Sequence, residues 1–200
     1  TVAVQGIGTM GGGAAWYLHD AGMKIVSVAD ALGTLYDPDG LDIPTLLDTR
    51  NAFGEIDRDR LPAHVQQLPR DSVLTTRVDI LVPAAVSYAL TGQNCATVNA
   101  KVVVEAANAA TTPDAELDLT ARGIAVIPDF VANAGAVAWA WWLLLGYVGS
   151  HPDDSFDRLR NEMTSTVGGL PARAWASSSW TARTATTPPS SCSSPSCSRR

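Results

Sequence analysis

The first thirty residues leave the chain little freedom. "VAVQGIGTMGGGAA", Val2 to Ala15, is an apolar run followed at once by a knot of glycines and a small-residue segment. By pattern, Thr1–Ile7 is a buried β-strand and Thr9–Ala21 a helix rich in alanine and glycine. "KIVSVAD", Lys24–Asp30, is a second strand that ends on an acid. A strand, a helix and a strand within about thirty residues is the length of a parallel βαβ crossover.

Gly6, Gly8 and Gly11 form G-x-G-x-x-G at the junction of that strand and helix. Gly6 suits a tight turn, Gly8 lets backbone approach a pyrophosphate, and Gly11 lets helix and strand pack closely. The helix start adds N–H donors and the positive end of a dipole. Alone the pattern is weak. Here it follows a strand, opens a helix and has Asp30 at the end of the next strand, which is the setting of a dinucleotide fingerprint. The loop candidates for cofactor binding are Gly6, Gly8, Thr9, Met10 and Gly11. Asp30 is expected to accept hydrogen bonds from the adenosine ribose hydroxyls, which favours NAD; its alternative is a loop cap. Thr34 and Arg50 lie downstream and keep NADP open.

Strand and helix signals continue along the chain. Asp37-Pro38-Asp39-Gly40 has the residue types of a tight turn, with a short helix following from Ile43 or Pro44. Arg58–Arg77 is polar and carries no clear pattern. "VDILVPAA" (Val78–Ala85) and "AKVVVEAAN" (Ala100–Asn108) are valine-rich runs suited to central parallel strands. In "TTPDAELDLTARG", Thr112 reads as N-cap, Pro113 as first turn and Gly123 as terminator. Ile124–Asp129 is a further strand, Val131–Val148 a long apolar helix expected to be buried, and Asp153–Val167 another helix. The alternation predicts a Rossmann-like, doubly wound, mostly parallel α/β sheet.

Three segments follow from this: a nucleotide-binding domain over 1–150, a helical segment over 151–169 and a low-complexity tail over 170–200. The tail has no Asp, Glu, Val, Ile or Phe, and is dominated by Ser, Ala, Thr, Pro and Arg. It reads either as a natural disordered linker or as the product of a slipped reading frame. A net charge of −6 with no basic stripe argues against a nucleic-acid partner. The apolar stretch Ala134–Gly149 is shorter than the roughly 20 residues of a membrane span. The three cysteines lack metal-ligand spacing, and Cys192 and Cys197 lie in the tail. With no leader before the first strand, a cytoplasmic location is expected. His19, His64 and His151 are widely separated and expected to face solvent.

"VAVQGIGTMG", "LYDPDGLD", "DILVPAA", "VVVEAANAATTPDA" and "PDFVANAGAV" occur in this order over roughly Thr1–Leu145. Together they resemble the C-terminal coenzyme domain of the Glu/Leu/Phe/Val dehydrogenases, the glutamate dehydrogenase superfamily. The resemblance implies an NAD(P)-dependent oxidative deamination of an L-amino acid to a 2-oxo acid and ammonium. It also implies a homo-oligomeric intact enzyme whose small-molecule substrate is an amino acid. By the same resemblance Ala84 and Ala85 line the cofactor, Asn108 meets the nicotinamide ribose and Asn133 the carboxamide. The family places its catalytic lysine and aspartate in a preceding substrate domain, so this chain is expected to be a fragment without catalytic residues. Its two lysines, Lys24 and Lys101, match no such motif.

The departures are few. Ala106-Ala107-Asn108 stands where the family has Gly-Ala-Asn, and Gly135-Ala136-Val137 where it has Gly-Gly-Val. Ala140 stands where glutamate-specific members carry a serine that contacts the substrate carboxylate, which leaves valine, leucine or phenylalanine as alternative substrates. A non-catalytic nucleotide-binding module is the alternative from another class.

Overall fold

The computed structural model describes residues 1–168; the expectations for the 170–200 tail, Cys192 and Cys197 included, lie outside the described residues. In chain order the elements are β1 (Val2–Gln5), α1 (Thr9–Asp20), β2 (Ile25–Ala29), β3 (Thr34–Tyr36), α2 (Ile43–Asp48), β4 (Gln66–Leu68), α3 (Ser72–Thr75) and β5 (Val78–Pro83). Then come β6 (Ala100–Val104), α4 (Pro113–Ala121), β7 (Ala125–Ile127), α5 (Asp129–Ala132), α6 (Ala134–Leu144) and α7 (Pro152–Gly168). The strands form one sheet of seven in the order β4-β3-β2-β1-β5-β6-β7. The five strands from β2 to β7 in that order are parallel, and β3 and β4 add an antiparallel edge.

Burial on both faces explains why the central strands read as unbroken apolar runs. Along β1 the side chains alternate: Val2 and Val4 join a cluster with Ala15, Val28, Leu35, Ile43 and Leu46. Ala3 turns to the other face, among Val73, Leu81, Val103, Ala115 and Leu119. Helices α1 and α2 therefore cover one face and α3 and α4 the other, the doubly wound arrangement that the sequence predicts. From β1 the chain crosses to β2 on one side and later returns to β5 on the other. That reversal opens a crevice beyond the carboxyl ends of β1 and β5, where open α/β sheets bind their ligands.

Two regions differ from expectation. Strands β3 and β4 lie in segments to which the sequence pattern assigns no strand, because each has only three residues and β4 is a polar, mostly exposed edge. The apolar run Val131–Val148 is not one long buried helix. It divides at Asn133, whose φ of −107° and ψ of 4° interrupt the helix between α5 and α6. The second piece stops after 11 residues, where Gly146 turns left-handed at φ +71° and Tyr147 N–H returns to the Trp142 carbonyl at 2.8 Å. No residue of α6 is buried. A helix apolar on all sides has more surface to cover than α5 and α7 can shield. The last helix, α7, sets Phe156 against Tyr17 of α1 and the Arg158 guanidinium over the Trp142 ring. No helix among the described residues is long and apolar enough to cross a membrane.

Candidate functional site

The glycine loop leaves β1 at Gly6, with φ +89°, a conformation that other L-residues rarely adopt. A Cβ there would come within 2.9 Å of three atoms of Ala85. At Gly11 a Cβ would run into the Gly6 carbonyl oxygen, so only glycine lets α1 start this close to the turn. Gly8, by contrast, faces open space. It is the N-cap of α1 and brings no side chain to the first-turn N–H groups, so those of Thr9, Met10 and Gly11 have no side-chain cap. Gly11, Gly12 and Ala15 bury the helix against the sheet. Ala84 and Ala85, just past β5, back the loop: Ala84 N–H donates to the Gln5 carbonyl at 2.8 Å.

Past β6 the chain makes a second tight turn at the same edge. Asn133 Nδ2 donates to Asn108 Oδ1 at 2.9 Å, so the two predicted asparagines meet across 25 residues of sequence. Two acids hold that meeting in place. Glu105, 5% exposed, accepts from the N–H groups of Thr111 at 2.6 Å and Asp129 at 3.0 Å. Asp129 in turn accepts from Ala109 N–H at 2.7 Å, beside the left-handed φ of +47° at Ala109. Sequence reasoning missed both acids, although a lone glutamate closing the run "VVVE" is a legible signal: an acid there needs donors to be buried. Burial, and then the charge of Glu105, pushes the nearby Glu116 carboxyl above its ordinary range.

Asp30 reaches the edge of the crevice but is already occupied. Its Oδ1 accepts from Leu32 N–H at 2.9 Å, Gly33 N–H at 3.1 Å and Arg58 Nη2 at 2.6 Å. Its Oδ2 accepts from Ile56 N–H and Arg58 Nη1, both at 2.9 Å. The acid is thus a loop cap and an ion-pair partner. Sequence reasoning missed Arg58, since nothing in the polar stretch beyond it marks one arginine among several. Thr34 and Arg50 are also committed. The Thr34 hydroxyl donates to the Arg70 carbonyl at 2.7 Å and accepts from Val73 N–H at 3.2 Å. Arg50 donates to the carbonyls of Ile7 and Gly8, bracing the glycine loop from behind.

Lys24 and Lys101 lie just before β2 and near the start of β6, at the amino edge opposite the crevice, and Lys101 pairs with Asp79 at 2.6 Å. The exposed His64 lies 3.3 Å from the buried Asp37 carboxylate. Among the described residues no cluster of His, Cys, Asp or Glu could hold a metal ion.

Comparison with known proteins agrees with this geometry. The family profile described as Glutamate/Leucine/Phenylalanine/Valine dehydrogenase matches residues 1–144. The catabolic NAD-specific glutamate dehydrogenase RocG of Bacillus subtilis is 39% identical over 169 residues, covering 82% of this chain and 39% of that protein. The NAD-specific glutamate dehydrogenase of Staphylococcus aureus is 43% identical over 141 residues, or 70% of this chain and 33% of that one. Among solved structures, the hetero-hexameric glutamate dehydrogenase of Thermus thermophilus superposes with a TM-score of 0.71 at 30% identity. It is matched over 88% of this chain and 43% of its own. This chain therefore spans about one third to two fifths of the length of the relatives it matches. Its fold, its glycine turn and the match over residues 1–144 agree, and the chain belongs to the Glutamate/Leucine/Phenylalanine/Valine dehydrogenase family.

Proposed function

We propose that this chain is the dinucleotide-binding part of an amino acid dehydrogenase that takes NAD and oxidatively deaminates an L-amino acid, glutamate or one like it. The observation that carries the reading is the cradle at the end of β1, where a side chain on Gly6 or Gly11 would strike the loop itself while Gly8 stands open. That space fits a pyrophosphate, with the N–H groups of Thr9, Met10 and Gly11 as its donors and the α1 dipole favouring negative charge. Ala84 and Ala85 line the cofactor, and their small side chains leave it room. Asn108 serves the nicotinamide ribose and Asn133 the carboxamide, a group that needs both a donor and an acceptor. NAD held there would supply the hydride acceptor for oxidation at the amino acid α-carbon, the overall products with water being a 2-oxo acid and ammonium.

Both lysines lie at the far edge of the sheet, so the reading assigns this chain no catalytic residue. Substrate chemistry belongs to a preceding domain of the kind the family carries, which must hold the α-carbon against the ring. The domain reading is nucleotide binding over 1–150 with a helical segment at 151–169. Assembly into a homo-oligomer and a cytoplasmic location belong to the same proposal. Ala140 favours a second substrate reading: it is exposed on α6 beside Val137 and Trp141, with no polar group for a side-chain carboxylate. An aliphatic or aromatic amino acid suits that surface.

The test is a titration of the full chain with NADH, followed through quenching of its tryptophan fluorescence. Saturable binding is expected, and Gly11→Val is expected to abolish it. A cooperatively folded wild-type chain that bound neither NADH nor NADPH would overturn the proposal.

A further inference from the structure

This inference rests on the dinucleotide reading and concerns the adenosine end of the same site. In a dinucleotide fingerprint the acid after the second strand accepts from the ribose 2′-hydroxyl, whereas an arginine nearby accommodates a 2′-phosphate. Here both residues are present and bound to each other. The Asp30 side chain is 2% exposed and that of Arg58 18%. Five N–H groups converge on the Asp30 oxygens, and a carboxylate has about four lone-pair sites. A ribose hydroxyl finds no acceptor there unless Arg58 withdraws.

Arg58 has donors to spare. Its Nη1 serves Asp30 and, at 3.1 Å, the Ile56 carbonyl, and its Nη2 gives one bond to Asp30. Of the five guanidinium hydrogens that leaves two without a partner among the described residues. The segment that carries it runs along the glycine loop. Arg50 holds the Ile7 and Gly8 carbonyls, and a Cβ on Gly54 would lie 3.2 Å from the Gly8 Cα. The ion pair and the pyrophosphate cradle therefore share one edge of the sheet.

We infer that Arg58 is the specificity-determining residue at the adenosine ribose, and that Asp30 is the positioning residue that holds its guanidinium there. The chain accordingly keeps affinity for a 2′-phosphorylated nucleotide, although its fingerprint position carries an acid. Removing the guanidinium uncovers the carboxylate, which repels a 2′-phosphate and accepts from a 2′-hydroxyl.

Calorimetric titration of the full chain with ADP-ribose and with 2′-phospho-ADP-ribose isolates this end of the site. Wild type is expected to bind the two within about tenfold, and Arg58→Gln to weaken the phosphorylated ligand by roughly 10- to 100-fold while ADP-ribose is held at least as well. An unchanged ratio in Arg58→Gln overturns the inference, as does a wild-type preference for ADP-ribose above about 100-fold. If Arg58→Gln does not fold, salt decides on the wild type. The phosphorylated ligand must weaken more steeply than ADP-ribose as ionic strength rises, and parallel slopes overturn the inference. A folded wild type that binds neither ligand removes the dinucleotide reading and this inference with it, whereas one that binds ADP-ribose alone removes only the inference.

Discussion

The parallel sheet and helix α6 are both built from apolar residues, and the two have opposite fates. Val2, Val4, Val28 and Val103 are wholly buried, because helices from both sides close over the strands that carry them. Val137, Trp141 and Leu144 of α6 are 58%, 56% and 74% exposed. Hydrophobicity states that a residue gains by leaving water, but not which surface it leaves water for. In the sheet the chain supplies both partners of each contact. At α6 it supplies only α5 and α7, and the outer surface of the helix has no cover among the described residues.

That contrast orders the effects of substitution. Leu81→Ala, on the sheet, is expected to lower unfolding stability by about 2–5 kcal/mol through lost burial and a residual cavity; urea denaturation measures it. Glu105→Gln is next, at about 1–3 kcal/mol, since two half-buried N–H groups lose the charged acceptor they share. It should also weaken NADH binding, because that carboxylate holds the turn carrying Asn108. On α6 the same measurement should barely move. A Trp141→Ser, Leu144→Ser double variant is expected to stay within about 0.5 kcal/mol of wild type per site. Its signature is elsewhere: wild type should self-associate through the exposed apolar surface, and the variant should sediment as a monomer at the same concentration. A large stability loss in that variant would erase the contrast.

The smallest expected effect is a pH dependence. Burial and Glu105 raise the Glu116 carboxyl in the folded chain, so folding favours its protonated form. Its contribution is fully present below the unfolded value of about 4.5 and is lost as pH rises through the raised folded value. Glu116→Gln should therefore melt with wild type at pH about 4 and slightly above it at pH about 7. The reverse order would contradict the assignment of cause.

The glycine turn, the four central parallel strands β1, β2, β5 and β6 and helices α1 and α4 are legible in the sequence, because each depends on neighbours within a few residues. Gly6 and Gly11 are needed by their own turn, and Pro113 starts α4 by its own fixed φ. What is not legible depends on distant partners. The β3–β4 edge needs Leu35 to meet Gln67 across 32 residues of chain, with no alternating pattern to announce it. Asp30 marks the end of β2 correctly, yet its occupation by Arg58 is set 28 residues away. The two asparagines are legible through family resemblance, and the acids that seat them are not. The apolar stretch after Asn133 shows its composition plainly but not the left-handed Gly146 that shortens it or the missing cover that exposes it.

Amide hydrogen exchange on the full chain, with and without saturating NADH, tests the central claim most directly. The account predicts added protection at residues 6–12, at 84–85 and over 105–109 and 133, with α6 beyond its first turn unchanged. Protection confined to α6 or its exposed apolar surface, or none at the glycine turn despite saturable binding, would contradict it.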